Sequence, residues 1–390
     1  MGKNFKTIFI FSLAAFAIGL SEFVVIGIIG NLLNEFNITL SQAGLIISVY
    51  ALGISLGAPT LTYLTRKLNS KPLCVTLLFS FTLLNLLTIS THIFALLLFF
   101  RACSGVIHGT FFSIASAEVP KLVGEEKAPM AIALMFSGLT VAMVIGVPIS
   151  MYMVNILSWY FPFIVISILS MISALLMMKY LPQNFGISIT KLSFKELPKT
   201  FDLKILGLYA ITFFGFGGGF YFYSYIEPWL SQNAHMSIYQ IGLTFGIIGF
   251  GSLFGNILGG ILPQKIKIKN ILYLLLIIQI ISLILLSIVS NFIVIQFVLL
   301  FWSISTFSLA PIVQTIAVTY SSNLLPRISA SFNVSAFNFG ISFSSYVSTL
   351  NINHYGLEKL SIGAAFFVAL ALPLVMFIFG YQKNIQLNSN

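Results

Sequence analysis

Charge is what this chain has least of. Asp, Glu, Lys and Arg make up only 7% of its 390 residues, against about 25% in an average soluble domain. Asp202 is the only aspartate. The chain has no G-x-x-x-x-G-K-[ST] phosphate loop, no H-E-x-x-H and no G-x-S-x-G, so no catalytic nucleophile, base and oxyanion site can be assembled from it. It does not read as an enzyme, and without an ATP-binding part any primary pumping would need a separate partner. The only two cysteines, Cys74 and Cys103, lie in apolar runs and offer neither metal-ligand spacing nor a disulfide framework. No cofactor or metal is implied. The net charge of +10 is spread too thinly to form a nucleic-acid stripe.

What the chain has instead is hydrocarbon: 58% of residues are hydrophobic and the mean hydropathy is +1.03. At about 20 residues per crossing, apolar runs place spans near 7–29, 42–64, 73–90, 94–117, 130–153 and 160–181. A second set follows near 205–228, 239–262, 270–289, 292–320, 328–350 and 359–381. Lys3 and Lys6 before the run from Ile8 to Leu20 resemble a secretory signal, but the run continues past Glu22 to about Ile29 and reads as the first span. Twelve spans put both termini on one side, and 17 of the 19 basic residues fall in loops on that side. The positive-inside rule then makes the termini cytoplasmic. The expected organisation is an all-α polytopic membrane protein with six spans in residues 1–181, a polar cytoplasmic linker at 182–204 and six spans in 205–390.

A faint repeat agrees with the six-plus-six division. Gly53 and Gly57 of the second span are followed by Lys67 and Lys71; 198 residues later Gly251 and Gly255 of the eighth span are followed by Lys265 and Lys269. A lone G-x-x-x-G marks only close helix packing, whereas a shared offset suggests parallel halves.

A charge at mid-bilayer costs roughly 2.5–3.5 kcal/mol on the insertion scale, so it signals a cavity or a partner. Glu22 in the first span and Arg101 in the fourth each lie about 10 Å below the same end, at a level where they could pair. His108 follows Arg101 by two helical turns, giving the fourth span one polar stripe of Arg101, Ser104 and His108. The plain alternative is a structural ion pair with a carbonyl-bonded His108. Glu227, beside Pro228 and Trp229, reads as interfacial. The seventh span surrounds Gly217, Gly218 and Gly219 with aromatic rings, Tyr221 and Tyr225 among them, which could stack on a ligand or simply pack. Trp302 and Gln314 in the tenth span are similar candidates. Pro59, Pro148, Pro228 and Pro311 lie in or at the ends of spans, where neighbouring groups can make good the missing hydrogen bond.

Taken in order, these residues resemble the major facilitator superfamily, and within it the bacterial drug and sugar efflux branch that contains arabinose efflux permeases. The resemblance rests on Ser21-Glu22-Phe23 with Gly27, on Tyr50 to Gly53 with Gly57-Ala-Pro59, and on Arg101 with Gly105 and His108-Gly109. Gly138-Leu-Thr140 with Gly146-Val-Pro148 resembles the family's antiporter motif. Looser matches follow at Tyr223 to Pro228, Ala310-Pro311 and Asn338-Phe-Gly340. The loop Thr62 to Arg66, continuing to Lys67, lacks the superfamily's usual aspartate, and Gly30 stands where relatives typically have proline.

The resemblance implies two six-helix bundles around a central cavity, alternating access, and export of a sugar or drug-like solute driven by proton entry. Glu22 with Arg101 would couple protons; His108, Tyr221, Tyr225, Trp302 and Gln314 would line the substrate cavity. Gly57, Pro59, Arg66, Lys67, Gly146 and Pro148 would serve gating. The expected setting is a bacterial inner membrane and the expected form a monomer. Proton-independent facilitation or import, and a non-transporting receptor or scaffold, are the competing readings.

Overall fold

The computed structural model describes residues 3–65, 67–122, 128–183, 185, 203–320 and 326–380, which form helices joined by short turns, with no strand among them. The first set comprises α1 (Lys3–Gly27), α2 (Ile29–Phe36), α3 (Leu40–Leu64), α4 (Ser70–Ser90) and α5 (Phe94–Glu118). It continues with α6 (Ala128–Val141), which runs through a π-helical turn at Ala142–Gly146 into α7 (Val147–Ile156), and α8 (Phe161–Tyr180). The second set begins with α9 (Leu203–Ile211), a π-helical turn at Thr212–Phe216, α10 (Gly217–Tyr223) and the single turn α11 (Ile226–Pro228). After it come α12 (Ile238–Ile261), α13 (Ile268–Leu286), α14 (Phe292–Tyr320), α15 (Pro326–Tyr355), α16 (Leu360–Ala369) and α17 (Ala371–Gly380). The segment expected as a linker lies largely outside the described residues, as does Arg66.

Eleven stretches among the described residues are long and apolar enough to cross a membrane unaided. The twelfth expected span is α15, whose 30 residues reach about 45 Å but include a run of serines. Ser329, Ser331, Ser342, Ser344, Ser345 and Ser348 are all buried. Their hydroxyls face protein rather than lipid, because α15 packs along α3 and α10, and a polar helix is tolerated at membrane depth where protein covers it. The seventh span does not continue unbroken to 228 as expected. It stops at Tyr223, since Pro228 cannot donate to the carbonyl of Ser224.

The 198-residue repeat extends into contacts that the glycines alone did not reveal. Thr39 and Gln42 form a capping box at the start of α3, and Ser237 and Gln240 form the same box at the start of α12. A Cβ at Gly57 would stand 2.5 Å from the Val106 backbone, and one at Gly255 would stand 2.6 Å from the Ile304 backbone. The Thr110 hydroxyl donates to the Gly57 carbonyl at 3.2 Å; the Ser308 hydroxyl donates to the Gly255 carbonyl at 2.9 Å. All of these partners are related by the one offset, so α3 packs on α5 as α12 packs on α14.

Glycine is required where backbones come this close. Gly53 lies against the Ala102 carbonyl with no room for a Cβ, whereas Gly242 has nothing within 4 Å. Gly53→Ala should therefore destabilise the purified protein by about 1–3 kcal/mol through overpacking, read as a lower unfolding temperature. Gly242→Ala should leave that temperature unchanged or slightly raised.

Candidate functional site

Arg101 is the most deeply buried charge among the described residues of the first half, 1% exposed on α5. One end of its guanidinium, Nη1, donates to the Ser21 carbonyl at 2.9 Å and meets the Ser21 hydroxyl at 3.0 Å. The planar face lies over Tyr50, with Cζ 3.9 Å from the ring centroid, an arrangement that gains about 2 kcal/mol when desolvated. The Tyr50 hydroxyl continues the chain to His108 Nδ1 at 3.1 Å, and the His108 ring packs on Phe112 with centroids 5.0 Å apart. On the other side, the Ser21 hydroxyl donates to Asn85 Oδ1 at 3.3 Å. Residues of α1, α3, α4 and α5 thus form one connected polar path inside hydrocarbon.

The packing of α3 on α5 places Tyr50. Gly105 lies between Arg101 and His108 on the polar stripe and is pressed against the Tyr50 carbonyl. This close approach lets one tyrosine span the two turns that separate the cation from the imidazole.

Glu22 and Arg101 do share a site, but they form no direct ion pair among the described residues. Both line a small cavity closed by Ile26, Ile47, Tyr50, Ala51, Phe220 and Ile341, with about 10 Å³ of free volume, room for about one water. The pairing expected from their common depth is not made in this structure, where Ser21 takes Nη1 and Tyr50 the face of the guanidinium. Arg101 Nε and Nη2 are buried without a hydrogen-bond partner. The cavity joins the halves: its ionisable groups come from the first set of helices, while Phe220 and Ile341 come from the second.

The remaining expected site residues lie elsewhere. Tyr221 packs against Gly363 and Asn351, away from this cavity. The Tyr225 hydroxyl is 2.6 Å from Thr349 Oγ1 and lodges against Gly44 of α3. Trp302 is fully buried against Phe222 and Tyr223, with its indole N–H unpartnered. Gln314 accepts from Asn333 Nδ2 at 2.6 Å, and Asn333 in turn accepts from Thr212 at 2.9 Å, a network internal to the second half. Lys67 is exposed at the turn after α3.

Two prolines act at the contact between halves. Pro59 lacks the N–H that would bond the Ser55 carbonyl, and Ser335 of α15 donates to that carbonyl at 2.6 Å while its hydroxyl meets the Ser55 hydroxyl at 3.0 Å. Pro148 likewise follows the π-helical turn that ends at Gly146, and Val144 of that turn lies so close to α12 that a Cβ at Gly249 would stand 2.5 Å from its Cα. Asn85 and Ser335 were not singled out in the sequence. A lone Asn inside the apolar third span was the one available signal for Asn85.

The family model described as Major Facilitator Superfamily matches residues 11–349. YfhI of Bacillus subtilis, an uncharacterised MFS-type transporter, is 31% identical over 389 residues, spanning 97% of each chain. A protein of Pasteurella multocida named as a probable sugar efflux transporter is 26% identical over 382 residues, covering 96% of this chain and 93% of its own. Among solved structures, the human organic anion transporter MFSD10 (TETRAN) superposes with a TM-score of 0.75 at 13% identity, over 96% of this chain and 100% of its own, a likeness of fold.

Tyr50 has two separable roles in this site. Tyr50→Phe keeps the ring beneath Arg101 and loses only the hydroxyl's contacts with His108 and Ser21, so it should lower stability by about 0.5–1.5 kcal/mol. Tyr50→Leu also loses the ring face and should cost roughly 2 kcal/mol more. Thermal unfolding of the two variants checks this, and equal losses would show that the stacked ring contributes nothing.

Proposed function

Because the chain belongs to the major facilitator superfamily, whose members are multi-pass membrane transporters and not enzymes, we propose that it is a proton-coupled exporter of a small organic solute, sugar or drug-like. In this reading it lies in a bacterial inner membrane with both termini in the cytoplasm, working by alternating access of residues 1–181 against 205–390. The observation that carries the proposal is an acid, Glu22, in a cavity lined by both halves, facing a guanidinium with two unused donors in a space the size of one water. Such a space suits a proton and excludes a sugar. The name of the Pasteurella multocida relative supports efflux of a sugar as the first substrate class to try.

The proposed step is short. With Glu22 protonated, Arg101 keeps its contacts to Ser21 and Tyr50 and needs no carboxylate. When Glu22 releases its proton, the carboxylate turns to Nε and Nη2 of Arg101, forming the charge-assisted pair that this conformation lacks. Exchange between these two arrangements would tie the proton to the relative position of the halves, since Phe220 and Ile341 of the second half line the cavity that holds Glu22 and Arg101. Each proton entering is worth about 2.3 kcal/mol per 100 mV of membrane potential, enough to drive solute uphill. Monomeric function is part of the proposal, with lipid, solute and protons as the only partners.

The test is lumenal pH in proteoliposomes carrying a proton gradient, with sugars, then lipophilic cations, then neutral drugs added. A substrate should collapse the gradient with wild-type protein and leave it standing with Glu22→Gln, which should purify as well as wild type. Substrate-dependent proton flux unchanged in Glu22→Gln would sink the assignment. Substrate flux that ignores pH and potential would establish facilitated diffusion with Glu22 and Arg101 as structural groups.

A further inference from the structure

A groove of about 700 Å³ runs along the outside of the helix bundle, far larger than the cavity at Glu22. Its floor is α12, which packs on both α7 and α14. Gly242 has nothing within 4 Å and Gly246 only the Val144 carbonyl oxygen at 3.9 Å, so two positions one turn apart leave bare backbone where side chains would fill the space. Pro148, Met151 and Tyr152 of α7 form one wall; Ile293, Gln296, Phe297 and Leu300 of α14 form the other. The groove faces lipid, because Leu243, Phe250, Ile293 and Phe297 on its rims are all exposed apolar side chains. One wall comes from the first half and the other from the second, and the Tyr152 and Tyr239 rings meet across it with centroids 6.3 Å apart.

Length and polarity indicate what fits. From Ile238 to Phe250 the groove follows α12 for about 18 Å, close to one leaflet's share, roughly 15 Å, of the hydrocarbon core. α12 and α14 both begin at the end of the molecule away from the termini, so the groove lies in the leaflet on that side. Among the described residues that line it none carries a charge. Its polar groups gather toward that end, where amphipathic tyrosine rings such as Tyr152 and Tyr239 sit at headgroup level. The 29 residues of α14 reach about 44 Å, the bilayer with its headgroups. Gln296, about 6 Å into that helix, therefore stands at the boundary between headgroups and hydrocarbon.

Gln296 is only 8% exposed. Its Nε2 donates to the Thr244 hydroxyl at 3.0 Å, and that hydroxyl donates to the Gln240 carbonyl at 2.7 Å. Oε1 has no partner. An acceptor buried without a donor is costly, so a ligand that brings an N–H to this end of the groove gains a hydrogen bond in addition to the burial of its apolar part.

We propose that the groove binds one phospholipid of the leaflet away from the termini, an acyl chain lying over Gly242 and Gly246 and the ammonium of a phosphatidylethanolamine headgroup donating to Gln296 Oε1. Hydrocarbon walls give a sugar nothing to bond, and an anionic headgroup finds no cation here. A helix from a second copy of the chain would cover the glycines but bring no donor to Gln296. Selection among lipids then rests on hydrogen bonding alone, which phosphatidylcholine, with no N–H, cannot supply. The inference needs only that the chain spans a membrane, and it stands whether or not the protein moves protons or exports a solute.

The test is native mass spectrometry of the purified full-length protein, offered equal amounts of phosphatidylethanolamine and phosphatidylcholine with the same acyl chains. Wild type should retain one lipid and prefer phosphatidylethanolamine about tenfold, the worth of one hydrogen bond to a charged donor. Gln296→Leu should still retain a lipid but lose the preference. Gly242→Leu with Gly246→Leu, at positions with room for side chains, should release the lipid while keeping the unfolding temperature of the lipid-free protein. Equal retention of the two lipids by wild type overturns the proposal, as does a preference that survives in Gln296→Leu or a lipid that stays on the leucine pair. A dimer that the leucine pair dissociates would give the groove to a second copy instead.

Discussion

A guanidinium held inside hydrocarbon is the constraint around which the first half is arranged. Arg101 cannot shed its charge and cannot be left bare, so the surrounding helices supply a carbonyl and hydroxyl from Ser21 and an aromatic face from Tyr50. Those contacts set the positions of α1 and α3 relative to α5. Gly53, Gly57, Gly105 and Gly109 then let α3 and α5 approach until backbone meets backbone, the small-residue packing expected of helices that gain nothing from hiding apolar surface in lipid. The polar path from Asn85 to His108 depends on that approach.

The second half repeats the packing and discards the charge. Its capping box, paired glycines and hydroxyl-to-carbonyl bond recur at the 198-residue offset. The positions that correspond to Glu22, Tyr50, Arg101 and His108 at that offset are Phe220, Ile248, Leu299 and Thr306. One half therefore carries the ionisable groups, and the other presents Phe220 and Ile341 as an apolar wall to the cavity.

The contact between halves, largely helix-on-helix packing of α3 with α15 and of α12 with α7, also uses groups that a regular helix would keep to itself. Ser55 offers a carbonyl because Pro59 follows it, and Val144 sits in a wide turn before Pro148.

Much was legible in the chain itself. Run length placed the spans to within a few residues, apart from the break after Tyr223, and period counting put Glu22 and Arg101 at one level with His108 two turns on along the same face. These are properties of one helix in one solvent, and they depend only on local sequence. Whether Glu22 and Arg101 touch, that Tyr50 joins Arg101 to His108, and that Tyr221, Trp302 and Gln314 face away from the Glu22 cavity depend on how far each helix is rotated about its axis. Tertiary packing alone decided those rotations, because in a bilayer both faces of an apolar helix read alike until a glycine, a serine or a buried charge meets its partner.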